Sequence, residues 1–167
     1  MTGNREPGVV SRWIRAGLLT GITDGLFSSV LNVFVYGSTV TRLWQGVAAT
    51  PFGPTAFGGG RLLAVVGLAM HFGVAFFWSG VFLLAYEHMP WLRRLVATPF
   101  GVQKVAAIYG PLVWVVMSMG VIAFFLGRFP PVSARWWNQF FGHIVFVGLP
   151  IVWTVSAGAG APSKRSA

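Results

Sequence analysis

Three side chains could handle protons within the apolar part of this chain: Asp24, His71 and His143. An imidazole beside a carboxylate can change charge near neutral pH. At ~1.5 Å per helical residue, Asp24 lies about 18 Å below Tyr36, His71 about 15 Å below Arg61, and His143 about 9 Å below Trp137. Asp24 and His71 therefore fall at similar depth on consecutive antiparallel helices, with His143 above them. A hydrogen bond between the first two is expected. A charge at mid-bilayer costs roughly 2.5–3.5 kcal/mol on insertion scales, so each group needs a partner, a water or a neutral form. Three readings stay open: a proton-responsive site, a polar clasp that fixes helix register, and a b-type haem held by His71 and His143 as axial ligands.

The elements that must position these groups are four long apolar runs. The chain has 167 residues, 55% hydrophobic and 9% charged. A soluble domain carries about 25% charged residues, so lipid is the natural solvent of this chain. A membrane helix needs roughly 20 residues. Spans are predicted at about 16–36, 62–86, 105–126 and 138–157, giving an all-α integral membrane four-helix bundle. Residues 1–15 read as a basic amino-terminal segment, loose up to Ser11, and 158–167 as a flexible tail. The first run is interrupted by Asp24 and lacks a small-residue cleavage site, so it is expected to be retained.

On the first span, Gly17, Gly21, Gly25 and Ser29 form a small-residue ridge that allows another helix to approach. Thr20, Asp24, Ser28 and Asn32 form a polar ridge beside it, which should turn inward. Gly67, His71, Ala75 and Ser79 repeat at the same spacing on the second span. Asn32, Asn138 and Gln139 gather near the far end, where they could line a vestibule or cap helix ends. The third span carries Ser118 and a kink-tolerant Gly110-Pro111.

The connections differ in character. Val40, Leu43, Trp44 and Val47 fall at helical spacing, with Arg42 and Gln45 on other faces, predicting a short interfacial helix. Thr50 to Gly60 holds two prolines and four glycines, which predicts that no helix continues there. Phe52 and Phe57 should fold it against the bundle, as a cap or a shallow re-entrant turn. Ala49 to Gly53 recurs in type as Ala97 to Gly101, too short a match to mark an inverted repeat. Glu87 and His88 lie near Arg93 and Arg94, where a solvated ion pair is expected.

The net charge of +9 comes from Lys and Arg at the ends of the runs, not from one block. This pattern, with no recognition motif, excludes nucleic acid and implies anionic lipid at the more basic face. That face carries Arg5, Arg12, Arg15, Arg93, Arg94, Lys104, Lys164 and Arg165. The other carries Arg42, Arg61, Arg128 and Arg135. Both termini are therefore expected to be cytoplasmic. There is no cysteine, which removes thiol nucleophiles, zinc–thiolate sites and iron–sulfur clusters. Gly58-Gly59-Gly60-Arg61 lacks the Gly-Lys-Ser/Thr ending of a phosphate loop, and no hydrolase elbow or HExxH occurs. No enzymatic activity is expected.

Gly21, Asp24 and Gly37, then Gly53-Pro54, Ala56-Phe57-Gly58-Gly59, Gly67-Leu68, His71, Gly142-His143 and Gly148-Leu149-Pro150, resemble a group of small bacterial four-helix membrane proteins. More distantly, Pro131, Trp137 and Phe141-Gly142-His143 resemble the last span of YagU-type inner-membrane proteins. The resemblance implies a bacterial inner-membrane location, and from the distant relatives a link to acid tolerance. It brings no catalytic residue. The expected role is a non-enzymatic membrane protein, pH-linked in small-solute or proton transport or sensing. The alternatives are a haem-binding redox subunit and an accessory or structural subunit of a larger complex or homo-oligomer.

Overall fold

The computed structural model describes residues 8–157. It contains four helices long and apolar enough to cross a membrane: α1 (Val9–Val35), α3 (Gly60–His88), α5 (Gly101–Leu126) and α6 (Ala134–Ala157). Two shorter helices join them, α2 (Val40–Phe52) and α4 (Pro90–Val96). The predicted spans are all present, and each is longer than expected. The largest change is at the amino end. The segment from Val9 to Ser11, expected to be loose, is helical and continuous with the span, because nothing between Gly8 and Gly17 breaks a helix and Arg12 finds a partner inside the bundle. Arg5, Lys164, Arg165 and the tail at 158–167 lie outside the described residues.

Helix α1 is the centre of the bundle. It packs on α3 along one side and on α6 along the other, and α6 packs on α5. The polar ridge turns inward as expected: Thr20, Asp24, Ser28 and Asn32 are all buried. Lipid offers these groups no hydrogen bond, so enclosure is the stable arrangement. The outward face of the same helix carries Leu18, Ile22, Leu26 and Val30, all exposed. The small ridge behaves differently from expectation. The notches at Gly17 and Gly21 hold the rings of Phe76 and Phe72, and Gly25 faces His71 and Trp44. Ser29 turns its hydroxyl back to the Gly25 carbonyl at 2.7 Å. Missing side chains on α1 thus make room for aromatic side chains of α3, not for its backbone.

Close backbone approach occurs elsewhere. A Cβ on Gly110 would overlap the His143 carbonyl, and one on Gly148 the Ala106 carbonyl, so α5 and α6 touch main chain to main chain at two levels. Gly67 does the same for α3 against the Trp44 carbonyl of α2. Three spans also carry a wide π-helical stretch: Leu31–Val35, Val116–Ile122 and Ile144–Gly148. The last of these precedes Pro150. Proline has no N–H, so the Phe146 carbonyl loses its helical donor. The Thr23 hydroxyl of α1 supplies one at 2.8 Å, and the Phe27 and Phe146 rings stack beside it at 4.4 Å.

Helix α2 starts at Thr39, whose side chain accepts the Arg42 N–H. It runs through Pro51 and stops at Gly53, where φ is 76°. The helix therefore continues further than the Pro-Gly content predicts, since Pro51 falls in its last turn. A short 3-10 turn, Pro54–Gly58, leads into α3. The buried face of α2 is Trp44, Gln45 and Ala48. Gln45 faces inward, against expectation, because its amide donates to the Gly60 carbonyl at 2.9 Å. The connection is an ordered cap, packed on α3 and reaching the last turn of α5.

Two substitutions separate these contributions. Thr23→Val removes one interhelical hydrogen bond, worth on average about 0.6 kcal/mol in membranes and at most about 1.7. Gly110→Val drives a side chain into the α6 backbone and should cost about 1–3 kcal/mol or more. Unfolding in mixed detergent should therefore rank wild type above Thr23→Val, and Thr23→Val above Gly110→Val. The reverse order would contradict the packing described.

Candidate functional site

A cavity of about 740 Å³ opens between the helices at the end opposite the described termini. That size lies within the ~300–1,000 Å³ typical of small-molecule sites. Its mouth carries Arg42, Thr50, Ser133 and Arg135. Ser28, Asn32 and Gln139 line its walls, and Asp24, His71 and His143 lie at its floor. The three titrating side chains read from the sequence thus share one space. Beneath them a smaller cavity of about 50 Å³ adds Thr20, Ala75, Trp78 and Ile151. It exceeds the ~10–15 Å³ that a water requires.

The floor is built as follows. Asp24 is 9% exposed and Thr20 2%. His71 Nε2 faces the Gly21 carbonyl at 3.0 Å. A carbonyl only accepts, so this nitrogen carries a hydrogen. Nδ1 then turns to Asp24 Oδ2 at 3.9 Å. The expected direct hydrogen bond is not made, because 3.9 Å is beyond hydrogen-bond reach. Charge attraction still acts at that distance. A single proton placed on either Asp24 or Nδ1 leaves the pair with no net charge; gain or loss of one proton charges it. His143 Nδ1 donates to the Gln139 carbonyl at 2.8 Å, which leaves Nε2 without a partner in its own helix.

Each imidazole has an indole beside it. Trp44 lies 5.0 Å from His71, and Trp114 lies 5.0 Å from His143. Asp24 Oδ1, Thr20 Oγ1, Gln139 Oε1 and Trp114 Nε1 are buried without a hydrogen-bond partner in the protein. A buried polar atom left unpaired costs about 1–3 kcal/mol. Trp78 Nε1 is a fifth such atom, and all five belong to residues that line the two adjoining cavities.

The end carrying the described termini is closed. Phe82, Leu83, Tyr86, Ile151, Val152 and Val155 form a continuous apolar core there. Arg12 locks it, pairing with Glu87 at 2.5 Å and donating to the Val155 carbonyl at 3.2 Å. Glu87 was expected to pair with Arg93 or Arg94; it meets Arg12 instead, because the longer α1 brings that residue alongside α3. The sequence marked Arg12 only as a flanking charge. At the mouth, Arg135 donates to Asn32 Oδ1 and lies 4.6 Å over the Tyr36 ring. Arg42 lies 5.1 Å over the Phe57 ring. Asn138 does not line the cavity; its amide donates to the Tyr36 hydroxyl at 2.9 Å. Trp44 and Trp114 were missed as site residues, since a single aromatic in an apolar run carries no positional signal.

No protein-family model, no curated protein and no solved structure matches the chain. The functional reading therefore rests on this geometry.

The cavity makes a prediction about water access. The chain has no cysteine, so one introduced thiol is unique. Ser28→Cys and Gln139→Cys should react with a membrane-impermeant maleimide added on the mouth side. Val152→Cys, in the apolar core, should not. Equal labelling of all three would show that the end treated as closed is open to water.

Proposed function

We propose that this chain is a multi-pass protein of the bacterial cytoplasmic membrane that takes a small solute into the vestibule in a proton-linked way. It is non-enzymatic on this reading, with both termini cytoplasmic and the mouth facing outward. The observation that carries the reading is the convergence of Asp24, His71 and His143 on the floor of one cavity, open at one end and sealed at the other. Asp24 keeps an unpaired oxygen and His71 stands beyond hydrogen-bond reach of it, so the carboxylate remains available to an occupant while His71 is held on the Gly21 carbonyl.

The chemistry follows from the shared proton. When the Asp24–His71 pair has no net charge, the floor favours a neutral or dipolar occupant. Loss of the proton leaves a carboxylate that favours a cationic group; gain of one leaves an imidazolium that favours an anionic group. Occupancy of the vestibule and protonation of its floor are thus linked, and each must bias the other by the same factor. The Arg12–Glu87 pair and the apolar core below are the barrier that a transport cycle would have to open.

Two experiments test this. In proteoliposomes containing a pH-sensitive dye, wild-type protein should pass protons roughly tenfold faster than Asp24→Asn, a ~1.4 kcal/mol difference in barrier. His71→Ala should change the pH dependence of the rate. Equal rates for wild type and Asp24→Asn would leave only a structural role for the three residues. For sidedness, a reporter fused at the carboxy terminus should be active in the cytoplasm and one inserted near Gly58 outside; the opposite pattern would invert the assignment.

A further inference from the structure

The four spans do not close into a complete ring. Helix α3 packs on α1, α2 and α6, and α5 packs on α6, but α3 and α5 share no extended seam. They meet on the sealed side of the floor, where the Tyr109 hydroxyl donates to the Trp78 carbonyl at 2.7 Å and the Tyr109 ring lies 4.9 Å from Phe82. Toward the mouth the two helices are separated by the cavity itself. Met70 and Val74 of α3 face it from one side, and Met117, Val121 and Phe125 of α5 from the other. Helix α2 bridges the two at the top, touching the last turn of α5.

We propose that this gap is a lateral portal through which an anionic amphiphile of the surrounding leaflet enters, with its tail between α3 and α5 and its head at Arg42 and Arg135. This names a ligand class for the vestibule and rests on the reading of that vestibule as a binding site. The walls of the gap are apolar along its length, which suits an acyl chain. Val121 and Phe125 line the cavity and are themselves exposed, so they offer apolar surface at the gap.

The head is specified by charge. Among the described residues, the carboxylates that form ion pairs are Asp24 at the floor and Glu87 at the sealed end. Neither is near the mouth. Arg42 and Arg135 are held by aromatic rings and, for Arg135, by a neutral amide. Two guanidinium groups line the entrance with no carboxylate counterion among the described residues. A phosphate or carboxylate would satisfy them through paired N–H donors. A zwitterionic head would bring its own cation into the same field. The tail provides the reason to enter sideways, and the arginines provide the preference among heads.

The test uses the full-length chain in mild detergent, with native mass spectrometry reading ligand retained. The probes are lysophosphatidylglycerol, lysophosphatidylcholine, and glycerol 3-phosphate as an anionic head without a tail. Wild type should retain lysophosphatidylglycerol roughly fivefold more than lysophosphatidylcholine, and Arg42→Gln with Arg135→Gln should erase that preference. To close the portal without changing the fold, Val121→Cys is blocked with benzyl methanethiosulfonate and then released with reductant. Blocking should lower retention of lysophosphatidylglycerol at least as strongly, and reduction of the same sample should restore it.

Retention unchanged by blocking, or no preference between the heads, overturns the portal. Glycerol 3-phosphate binding that needs the two arginines but ignores the block would overturn lateral entry while leaving the vestibule as a binding site. No retention of any probe, together with unlabelled Ser28→Cys and Gln139→Cys, would remove both.

Discussion

Hydrocarbon offers no hydrogen bond and little screening, so a carboxylate at mid-membrane carries a cost of roughly 2.5–3.5 kcal/mol unless something encloses it. Asp24 imposes that requirement on the bundle. It fixes which face of α1 turns inward, and with it Thr20, Ser28 and Asn32 on the same ridge. It also places α3 so that His71 faces it. Enclosure is incomplete, however. The helices surround Asp24 without giving its second oxygen a partner, and the space left over is the vestibule. A site of this kind is what remains when packing satisfies the need to exclude lipid but stops short of filling the interior.

Closure at one end and opening at the other have separate causes. At the closed end, valine, leucine, isoleucine and two aromatic rings fill the interior, and the buried Arg12 has its charge met by Glu87 and one of its other donors by the Val155 carbonyl. A buried charge with both an ion partner and a backbone acceptor avoids the large penalty of an isolated one. At the open end, wide helical turns and a capping helix replace filling side chains. The π-helical stretch at Val116–Ile122 lies on the α5 wall of the cavity, and the one at Leu31–Val35 carries Asn32 of its lining. Such turns shift the helical phase locally and are frequent at functional sites.

Much of this was legible in the residues because lipid makes the rules strict. The spacing of Thr20, Asp24, Ser28 and Asn32 shows a polar stripe, and polar stripes in membranes have only one direction to face. The depths of Asp24 and His71 placed those two at a similar level, with His143 above them. What was not legible depended on partners distant in sequence. Gly110 and Gly148 belong to no repeating ridge, and the ridge that begins at Gly67 does not name its partner, yet each of the three is where two backbones meet. Arg12 looks like any other basic residue beside a span; its burial follows from a helix start that no local signal marked. Gln45 sits on what reads as a polar face, and only the Gly60 carbonyl explains why it turns in.

The main-chain contacts of Gly110 with His143 and of Gly148 with Ala106 have a mechanical consequence. Side chains can change rotamer to let helices slide, but two backbones in contact have nothing to rearrange. Helices α5 and α6 must then travel as one stiff plank. Any change in the width of the vestibule is left to the seams packed through side chains, that of α1 with α3 and that of α1 with α6, where the Thr23 hydroxyl on the Phe146 carbonyl would act as the pivot pin. His143 rides on the plank and Asp24 does not, so the separation of those two groups would report the angle of the joint.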